Sequence, residues 1–440
     1  MSKKEIYKPR PISGFPEWLP EQRAIEIKWL DHIRTVFESY GYTNIETPAV
    51  EEMDVILAKG ETDKEIYALE RLQADEDDDS DARLGLHFDL TVPFARYTAQ
   101  HFNELTFPFR RYQIQKVWRG ERPQDGRFRE FYQCDIDVIN PQHLPIEFDA
   151  EMPAVIDEIL QGFDIGDYTI RLNNRKILDG YLEGLGIEER QSAMRILDKQ
   201  DKIGEGGVTE ALQKELDFDL GLAEKCLLIT NIKSTDDSFA AKVRALGVEN
   251  ETLEQGLDEL AEVMRLLVAH ETHGDIIADL SIVRGFDYYT GTVYEAQLHQ
   301  FPDLGSIVSG GRYANLAGAY INRDLPGVGI SLGLTRLFSK LYDAGVITPG
   351  HACPSQVFVV VPHDDKAGDA RAVARTLRER GFNVEVSHRS GKIGKQLSYA
   401  EKKGIPYVWF PPFEDGRPHE IKSMKSGEQT EADPKLWTPA

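Results

Sequence analysis

Residues 117–137, VWRGERPQDGRFREFYQCDID, predict two strands joined by a loop, and this pattern constrains the fold more than any other in the chain. Pro123 and Gly126 are typical turn residues and mark the loop between the strands. After the loop, four side chains of one parity alternate with their neighbours: Phe131, Gln133, Asp135 and Asp137. Successive side chains of a strand point to opposite faces of its sheet, so these four share one face. An aromatic ring, an amide and two carboxylates on one face would line a site for a polar, ring-bearing ligand.

The same segment concentrates positive charge in a chain whose net charge is −23. Between residues 353 and 440, 14 Lys/Arg oppose 12 Asp/Glu, so that part carries +2 and residues 1–352 carry −25. An acidic surface repels nucleic acid, so any polyanion must be met locally, by this loop and by the C-terminal part. Guanidinium groups suit bidentate contact with phosphate, whereas pairing with surface acids is the alternative that composition favours. Four arginines lie within eleven residues here: Arg119, Arg122, Arg127 and Arg129.

The length of 440 residues predicts two or three domains, because a single core rarely grows past about 250–300 residues. Strand patterns dominate two stretches that are separated by a helical one rich in Leu, Glu, Lys and Ala, and the C-terminal part alternates strands and helices. We therefore expect a first domain of strands and helices that a helical insertion interrupts, and a C-terminal α/β domain. The expected boundaries are 1–174 and 273–340 for the first domain, 175–272 for the insertion, 341–354 for a linker and 355–440 for the C-terminal domain.

The cysteines and the apolar runs predict a cytoplasmic protein. Cys134, Cys226 and Cys353 are isolated and odd in number, which argues against a disulfide framework and a cysteine zinc site. No apolar run approaches the roughly 20 residues of a spanning helix, and the first residues lack the apolar core of a secretory signal. We expect no association with a membrane.

Two segments suggest a metal site, and we expect neither to be one. The acidic run DEDDDSD, residues 75–81, lacks the glycine turn and the distant carboxylate of a calcium loop, so it is predicted to be a solvated loop. His270 and His273 stand in AHETHGD, which departs from the H-E-x-x-H pattern of zinc proteases and predicts a polar helix end.

Four stretches resemble, in order and spacing, the motifs of class II aminoacyl-tRNA synthetases, and specifically those of the histidyl-tRNA synthetases. IETPAVEE resembles motif 1, and WRGERPQDGRFREFYQCDID resembles motif 2. RGFDYYTGTVYEA resembles the histidine-specific signature, and GVGISLGLTRL resembles motif 3. The resemblance covers nearly the whole chain. It implies an α+β catalytic domain of class II, built on an antiparallel sheet with flanking helices, together with a C-terminal anticodon-binding domain. It also implies a homodimer whose interface includes Pro48.

The resemblance also implies a two-step reaction. The carboxylate of L-histidine attacks the α-phosphorus of ATP, giving histidyl-adenylate and pyrophosphate, and the histidyl group then moves to the 3′ end of tRNA(His). Such chemistry depends on positioning and on neutralisation of developing charge. Mg²⁺ is implied as well, because it commonly bridges nucleotide phosphates.

For ATP, the family positions fall on five residues of this sequence. The resemblance implies that Arg119 holds the α-phosphate and that Arg336 holds the γ-phosphate. Phe131 would stack on adenine and Glu121 would contact its edge. Arg284 would be the second cation at the α-phosphate and the chemical catalyst.

For histidine, the family positions are Asp89, Thr91, Gln133, Asp137, Tyr288, Tyr289 and Tyr313. A carboxylate at Asp89 suits an ammonium group, and Asp137 with a tyrosine hydroxyl can bond both imidazole nitrogens. Such a site rejects isosteres that lack these polar groups, so no editing domain is expected. Taken singly, Asp89 could instead cap the following helix, and Tyr288 and Tyr289 could be ordinary strand aromatics.

Contacts with tRNA are implied at both ends of the chain. Arg122, Gln124 and Arg127 would meet the acceptor end, and residues 355–440 would bind the anticodon stem. A non-catalytic relative that binds histidine as a signal is the alternative. Such regulators typically lack the C-terminal domain and the motif arginines, whereas this sequence keeps both.

Overall fold

The computed structural model describes residues 7–57, 65–72, 83–122, 126–283, 288–348, 353–414 and 416–439. The chain divides into two compact units. The first comprises Met1–Pro16 and Leu30–Ile347, and the second comprises Glu17–Trp29 and Thr348–Ala440. Within the ranges just given, no helix is long and apolar enough to cross a membrane.

Up to residue 347 the chain alternates strands and helices before and after a helical stretch. The strands are β1 Thr43–Asn44, β2 Val50–Glu52, β3 Leu84–Leu86, β4 Phe109–Trp118, β5 Glu130–Ile139, β6 Tyr168–Asn174, β7 Lys233–Ser234, β8 Asp275–Asp279, β9 Thr292–Leu298, β10 Val308–Tyr313 and β11 Gly327–Gly333. The helices are α1 Pro20–Ser39, α2 Met53–Leu57, α3 Thr91–Gln100, α4 Glu147–Phe163, α5 Arg175–Gly184, α6 Arg190–Leu197, α7 Gln200–Leu216, α8 Leu220–Thr230, α9 Phe239–Arg244, α10 Glu251–Leu267 and α11 Leu334–Asp343.

A nine-stranded sheet organises the first unit, in the order β1-β4-β5-β11-β10-β9-β6-β8-β7. All its neighbouring strands are antiparallel except the pairs β1 with β4 and β6 with β8. The expected α+β class is confirmed, although the sheet is mixed rather than purely antiparallel. Both parallel pairs join strands that are separated by long crossover connections, which parallel pairing requires.

The hairpin β4–β5 lies inside this sheet, as the sequence predicts. Gln133 lies opposite Gln115 on β4 and Gly333 on β11, so β5 has a neighbour on each side. Residues of the other parity, such as Ile136 and Val138, are fully buried in the core. The polar residues of β5 therefore share the opposite face, where the candidate site lies.

Residues 66–72 and β3 form only part of a hairpin, with one isolated bridge between Ala68 and Gly85. The amide of Leu69 donates to the carbonyl of Leu84, and that of Leu86 donates to the carbonyl of Tyr67, each at 2.9 Å. The strand that pairs with β3, however, is β2. The acidic connection between the two segments lies outside the described residues.

The helices α5 to α10 form the stretch between β6 and β8. Glycine lets α5 and α10 approach closely, because a Cβ atom at Gly180 would lie 2.2 Å from the backbone nitrogen of Leu253. The side chain of Asn250 caps α10 by accepting a hydrogen bond from the same nitrogen at 3.1 Å. At the far end of α10, Val268–His270 add a 3-10 turn.

The second unit contains a five-stranded sheet in the order β13-β12-β14-β15-β16. The first three strands are parallel to one another, and the last two are added in antiparallel orientation at the edge formed by β14. Val357, Val359 and Trp409 are fully buried in its core. The elements are β12 Val357–Val359, α12 Ala367–Glu379, β13 Val384–Val386, α13 Ile393–Lys402, β14 Tyr407–Phe410, β15 Glu420–Ser423 and β16 Gln429–Glu431.

Candidate functional site

An open cavity of about 350 Å³ lies on the polar face of β5 and β11. The end of β4, the loop before β5, residues 306–309 and the first turn of α11 complete its wall. Six side chains that the sequence proposed for ATP, histidine or tRNA line this one cavity: Arg119, Glu121, Arg127, Phe131, Gln133 and Arg336.

Two guanidinium groups from distant parts of the chain face this cavity. The Nε atom of Arg119, just beyond β4, donates to the carbonyl of Phe88 at 3.0 Å. Its guanidinium carbon lies 5.1 Å from the centroid of the Phe131 ring. Arg336, in the first turn of α11, donates from Nη2 to the carbonyl of Leu304. Both cations are thus held by backbone oxygens, in positions suited to the charged oxygens of phosphates.

The residues of the hairpin loop differ in where they lie. Arg127 forms an ion pair with Glu121, with 3.2 Å between Nη1 and Oε2. Arg127, which is expected to contact tRNA, therefore lines the same cavity wall as Glu121, which is expected to contact adenine. Arg122 is exposed and does not line the cavity. Gln124 and Arg284 lie outside the described residues.

Farther along β5, Asp137 is held from two sides. The hydroxyl of Tyr313 on β10 donates to its Oδ1 at 2.9 Å. The Nη2 atom of Arg111 on β4 lies 2.5 Å from its Oδ2. Arg111 is fully buried, and its guanidinium carbon lies 4.1 Å from the ring centroid of Phe94. This ion pair makes the position of the carboxylate rigid, because both partners are anchored in the sheet.

Three tyrosines lie beside this carboxylate. The ring of Tyr288 stacks on that of Tyr313 at 5.2 Å and meets that of Tyr289 edge-on at 5.0 Å. Burial, reinforced by the neighbouring tyrosines, Asp137 and Asp89, raises the pKa of Tyr288 well above its ordinary value. Burial, together with Asp137, likewise raises the pKa values of Tyr289 and Tyr313. The three phenols therefore remain protonated at neutral pH and can donate hydrogen bonds.

Glycines in β10 and β11 make room for these side chains. A Cβ atom at Gly329 would lie 2.1 Å from Oδ1 of Asp137, and one at Gly327 would lie 2.4 Å from the ring of Tyr313. At Gly311 it would lie 2.7 Å from Cδ1 of Tyr289. The glycines of β10 and β11 thus allow Asp137, Tyr289 and Tyr313 to pack closely against these strands.

Substituting Gly329 with Ala is therefore expected to displace Asp137. We expect the free energy of unfolding to fall by about 1–3 kcal/mol, since overpacking costs that much. Gly206→Ala is the matched control, because a Cβ atom there, in α7, meets nothing within 4 Å. Urea denaturation measures this effect, and an unchanged free energy of unfolding for Gly329→Ala would show that Asp137 is not packed against this glycine.

Asp89 and Thr91 lie at the start of α3. The Oδ1 atom of Asp89 accepts a hydrogen bond from the amide of Val92 at 3.0 Å, which is the capping geometry weighed as the alternative. Asp89 is nonetheless buried, and its charge acts on both Tyr288 and Tyr289. Capping and ligand binding are compatible here, because a carboxylate accepts several hydrogen bonds.

Gln133 lies on the same face of β5 as Asp137, at the wall of the cavity. Its Nε2 atom donates to the Ser331 hydroxyl on β11 at 2.9 Å. The next residue on the same face is Asp135, which is almost fully buried. Burial raises the pKa of Asp135 to about 7, although Arg111 and Ser331 act in the opposite direction.

Sequence reasoning missed Arg111 and assigned no role to Asp135. A signal for Arg111 was present in FRRYQIQKVW, since it shares the parity of Gln113 and Gln115 and therefore the polar face of the hairpin. Of the two histidines that suggested zinc, His273 contacts Asp157 through its amide, at 2.7 Å, and through its ring. Within the described residues, no group of three or more His, Cys, Asp or Glu side chains could hold a metal.

Two family models match the chain. The one described as Histidyl-tRNA synthetase matches residues 14–337, and the one described as Anticodon binding domain matches residues 356–432. A histidine–tRNA ligase of Thermobifida fusca (strain YX) is 59% identical over 437 residues, which is 99% of this chain and 100% of that relative.

Solved structures of similar fold are also found among proteins named as histidyl-tRNA synthetases. The crystal structure of histidyl-tRNA synthetase from Nostoc sp. PCC 7120 is 41% identical, with a TM-score of 0.89, and covers 97% of each chain. An ATP phosphoribosyltransferase regulatory subunit/histidyl-tRNA synthetase from Bacillus halodurans C has a TM-score of 0.74 over 90% of this chain and 97% of that one. Its identity of 20% makes it a likeness of fold alone.

Proposed function

We propose roles for the two parts of the site on the premise that the chain belongs to the histidyl-tRNA synthetase family. The chain catalyses histidine–tRNA ligation. It forms histidyl-adenylate and pyrophosphate from L-histidine and ATP, and then transfers histidine to the 3′ end of tRNA(His). The cavity binds ATP, and the pocket beside Asp137 binds histidine.

The observation that carries the ATP assignment is the convergence of Arg119 and Arg336 on one cavity that also contains Phe131. Arg119 binds the α-phosphate and neutralises the charge that develops there, and Arg336 binds the γ-phosphate. The adenine ring stacks on Phe131, and Glu121 contacts its edge. Such stacking of an aromatic side chain on a base is worth about 1–3 kcal/mol.

In the histidine pocket, each side chain has a chemical partner on the substrate. Asp137, which Arg111 holds in position, accepts a hydrogen bond from one imidazole nitrogen. The hydroxyl of Tyr288 or Tyr289 forms a hydrogen bond with the other nitrogen. The hydroxyl of Tyr313 holds the carboxylate of Asp137 in place. The ammonium group lies between Asp89, Thr91 and Gln133, which directs the substrate carboxylate towards the α-phosphate.

Arg284 and Mg²⁺ complete the proposed chemistry. Arg284 is assigned by family resemblance as the second cation at the α-phosphate. Mg²⁺ accepts oxygen ligands, and when bound it neutralises phosphate charge. Ser309 lines the cavity, and its hydroxyl would add one oxygen ligand to an ion that is held mainly by the phosphates.

The proposed tRNA contacts lie in both units. Arg122, Gln124 and Arg127 meet the acceptor end, and the anticodon stem binds to residues 355–440. A cleft of the second unit supports this role, since it is lined by Arg389, Lys392 and Lys395. The proposed catalytic domain comprises residues 1–174 and 273–340. The helical insertion comprises residues 175–272, and the linker comprises residues 341–354.

We further propose a cytoplasmic homodimer that assembles through the motif 1 segment. Pro48 is exposed there, between the buried Thr47 and the half-buried Ala49. An exposed proline in an extended segment leaves the surface available to a second copy.

The direct test is histidine-dependent exchange of ³²P-pyrophosphate into ATP, in the presence of Mg²⁺. Exchange should require histidine and should not occur with histidinol, which lacks the reacting carboxylate. A folded protein that binds histidine without exchange would indicate a regulator rather than a ligase.

Variants at Arg122 and Arg127 are expected to affect the two half-reactions differently. Arg122→Ala should lower the rate of tRNA charging at least about tenfold, the value of one lost charged hydrogen bond, and leave pyrophosphate exchange within twofold. Arg127→Ala should lower both rates, because Arg127 lines the ATP cavity and pairs with Glu121. Parallel charging and exchange assays measure this, and equal losses in the two Arg122→Ala rates would contradict the division.

A further inference from the structure

A row of polar side chains crosses three strands of the sheet beside the proposed histidine pocket. Gln133 donates from Nε2 to the hydroxyl of Ser331 at 2.9 Å, and that hydroxyl bonds the carboxyl of Asp135. Asp135 lies directly opposite Gln113 across β4 and β5. Gln113 in turn donates from Nε2 to the hydroxyl of Thr47 at 2.8 Å. The row therefore connects the cavity to the segment that resembles motif 1.

One connection in this row lacks a donor. The Oδ1 atom of Asp135 and the Oε1 atom of Gln113 are both buried, and neither has a hydrogen-bond partner within the described part of the chain. Side chains directly opposite on antiparallel strands have Cβ atoms about 4.5–5.5 Å apart. The Gln113 amide is held in its orientation because its Nε2 atom also donates to Oε1 of Gln115. A proton on Asp135 would give both orphaned oxygens a partner at once.

The surroundings of Asp135 favour the protonated form. Arg111 on β4 is the cation that faces it, but this guanidinium is already paired with Asp137. Asp137 and Asp89 repel its negative charge, and Tyr289 adds no charge at neutral pH. With burial, these groups hold the pKa of Asp135 at about 7.

We propose that Asp135 is a positioning residue that carries a proton in the histidine-binding form of the protein and donates it to Gln113. Along the row each residue then donates a hydrogen bond to the next, from Gln133 at the cavity to Thr47 at the far end. Gln133 is left with Oε1 as an acceptor, which is buried and has no partner among the described residues, so it can receive an N–H group of the substrate. The inference rests on the proposed assignment of Gln133 to histidine binding.

The first test compares the wild type with Asp135→Asn in pyrophosphate exchange from pH 6 to pH 8.5. The asparagine amide reproduces the protonated acid, since it donates to Gln113 and accepts from Ser331. Ionisation of the substrate affects both proteins equally. The ratio of the wild-type KM to the variant KM for histidine therefore reports the ionisation of Asp135 alone. We expect this ratio to be flat near pH 6 and to rise about tenfold by pH 8, as a group with a pKa of about 7 dictates.

Two outcomes would overturn the proposal in this assay. One is a ratio that stays constant over the whole range. The other is an Asp135→Asn protein as impaired at pH 6.5 as Asp135→Ala, which can neither donate nor accept. If Asp135→Ala does not fold, the pH dependence of the KM ratio between the wild type and Asp135→Asn still tests the proposal.

Thermal unfolding without substrate tests the proton independently of the pocket assignment. The pKa of Asp135 is raised above the ordinary aspartate value of about 3.9, so between about pH 4 and 7 the folded state binds a proton that the unfolded state has released. Wild-type stability should therefore fall as pH rises through this range, relative to Asp135→Asn. The difference in Tm should grow from pH 5 to pH 7, and a constant difference would refute the bound proton. An unchanged KM for histidine in Gln133→Ala would instead refute only the assignment of Gln133.

Discussion

Replacing Arg119 with Ala is expected to lower the rate of histidine-dependent pyrophosphate exchange by about 10²–10³, the usual effect of removing one preorganised donor from a transition state. The guanidinium of Arg119 is fixed by the Phe88 carbonyl and by the Phe131 ring, so it is oriented before ATP binds. Stability should change little, because the side chain is only half-buried.

The matched variants locate this effect. Arg119→Lys keeps the charge but loses the planar fork, so we expect partial activity, above that of Arg119→Ala. Arg265→Ala removes an exposed guanidinium on α10 and should leave exchange unchanged. The KM for histidine should also remain within about threefold in Arg119→Ala. If exchange survives in Arg119→Ala, the cavity does not bind the reacting phosphate.

Replacing Asp137 with Asn is expected to damage both stability and histidine binding. Arg111 is fully buried and would lose its ionic partner, which costs about 3–5 kcal/mol of unfolding free energy. The lost charged hydrogen bond to the imidazole should raise the KM for histidine about 10- to 100-fold. Urea denaturation and exchange kinetics measure the two effects separately.

The double variant Arg111→Met/Asp137→Asn separates the two causes. Methionine can keep the contact with Phe94 without a charge, so much of the lost stability should return, as it does when buried ion pairs are replaced by apolar groups. Histidine binding should stay weak, because the carboxylate is still absent. A double variant that regains the wild-type KM would show that Asp137 acts only through stability.

The polar face of β5 could be predicted because strand geometry is local. The alternation of Phe131, Gln133, Asp135 and Asp137 puts them on one face whatever else the chain does. Arg119 and Arg336 are more than two hundred residues apart, and only the family resemblance brought them together before the structure did. Periodicity carries no information about such distances.

The parts that could not be predicted depend on tertiary contacts. Arg111 is an arginine that a single sequence places at the surface, and its burial follows from its pairing with Asp137. Arg127 lines the cavity because Glu121 holds it there, which loop composition does not encode. Strands β15 and β16 are short, and their antiparallel pairing depends on the edge offered by β14.

A crystal structure with histidine and a non-hydrolysable ATP analogue would show where the two substrates bind. We expect adenine against Phe131, the α-phosphate at Arg119, the γ-phosphate at Arg336, and the imidazole ring at Asp137. An ATP analogue bound with its phosphates away from both arginines, or a histidine ring bound away from Asp137, would contradict this expectation.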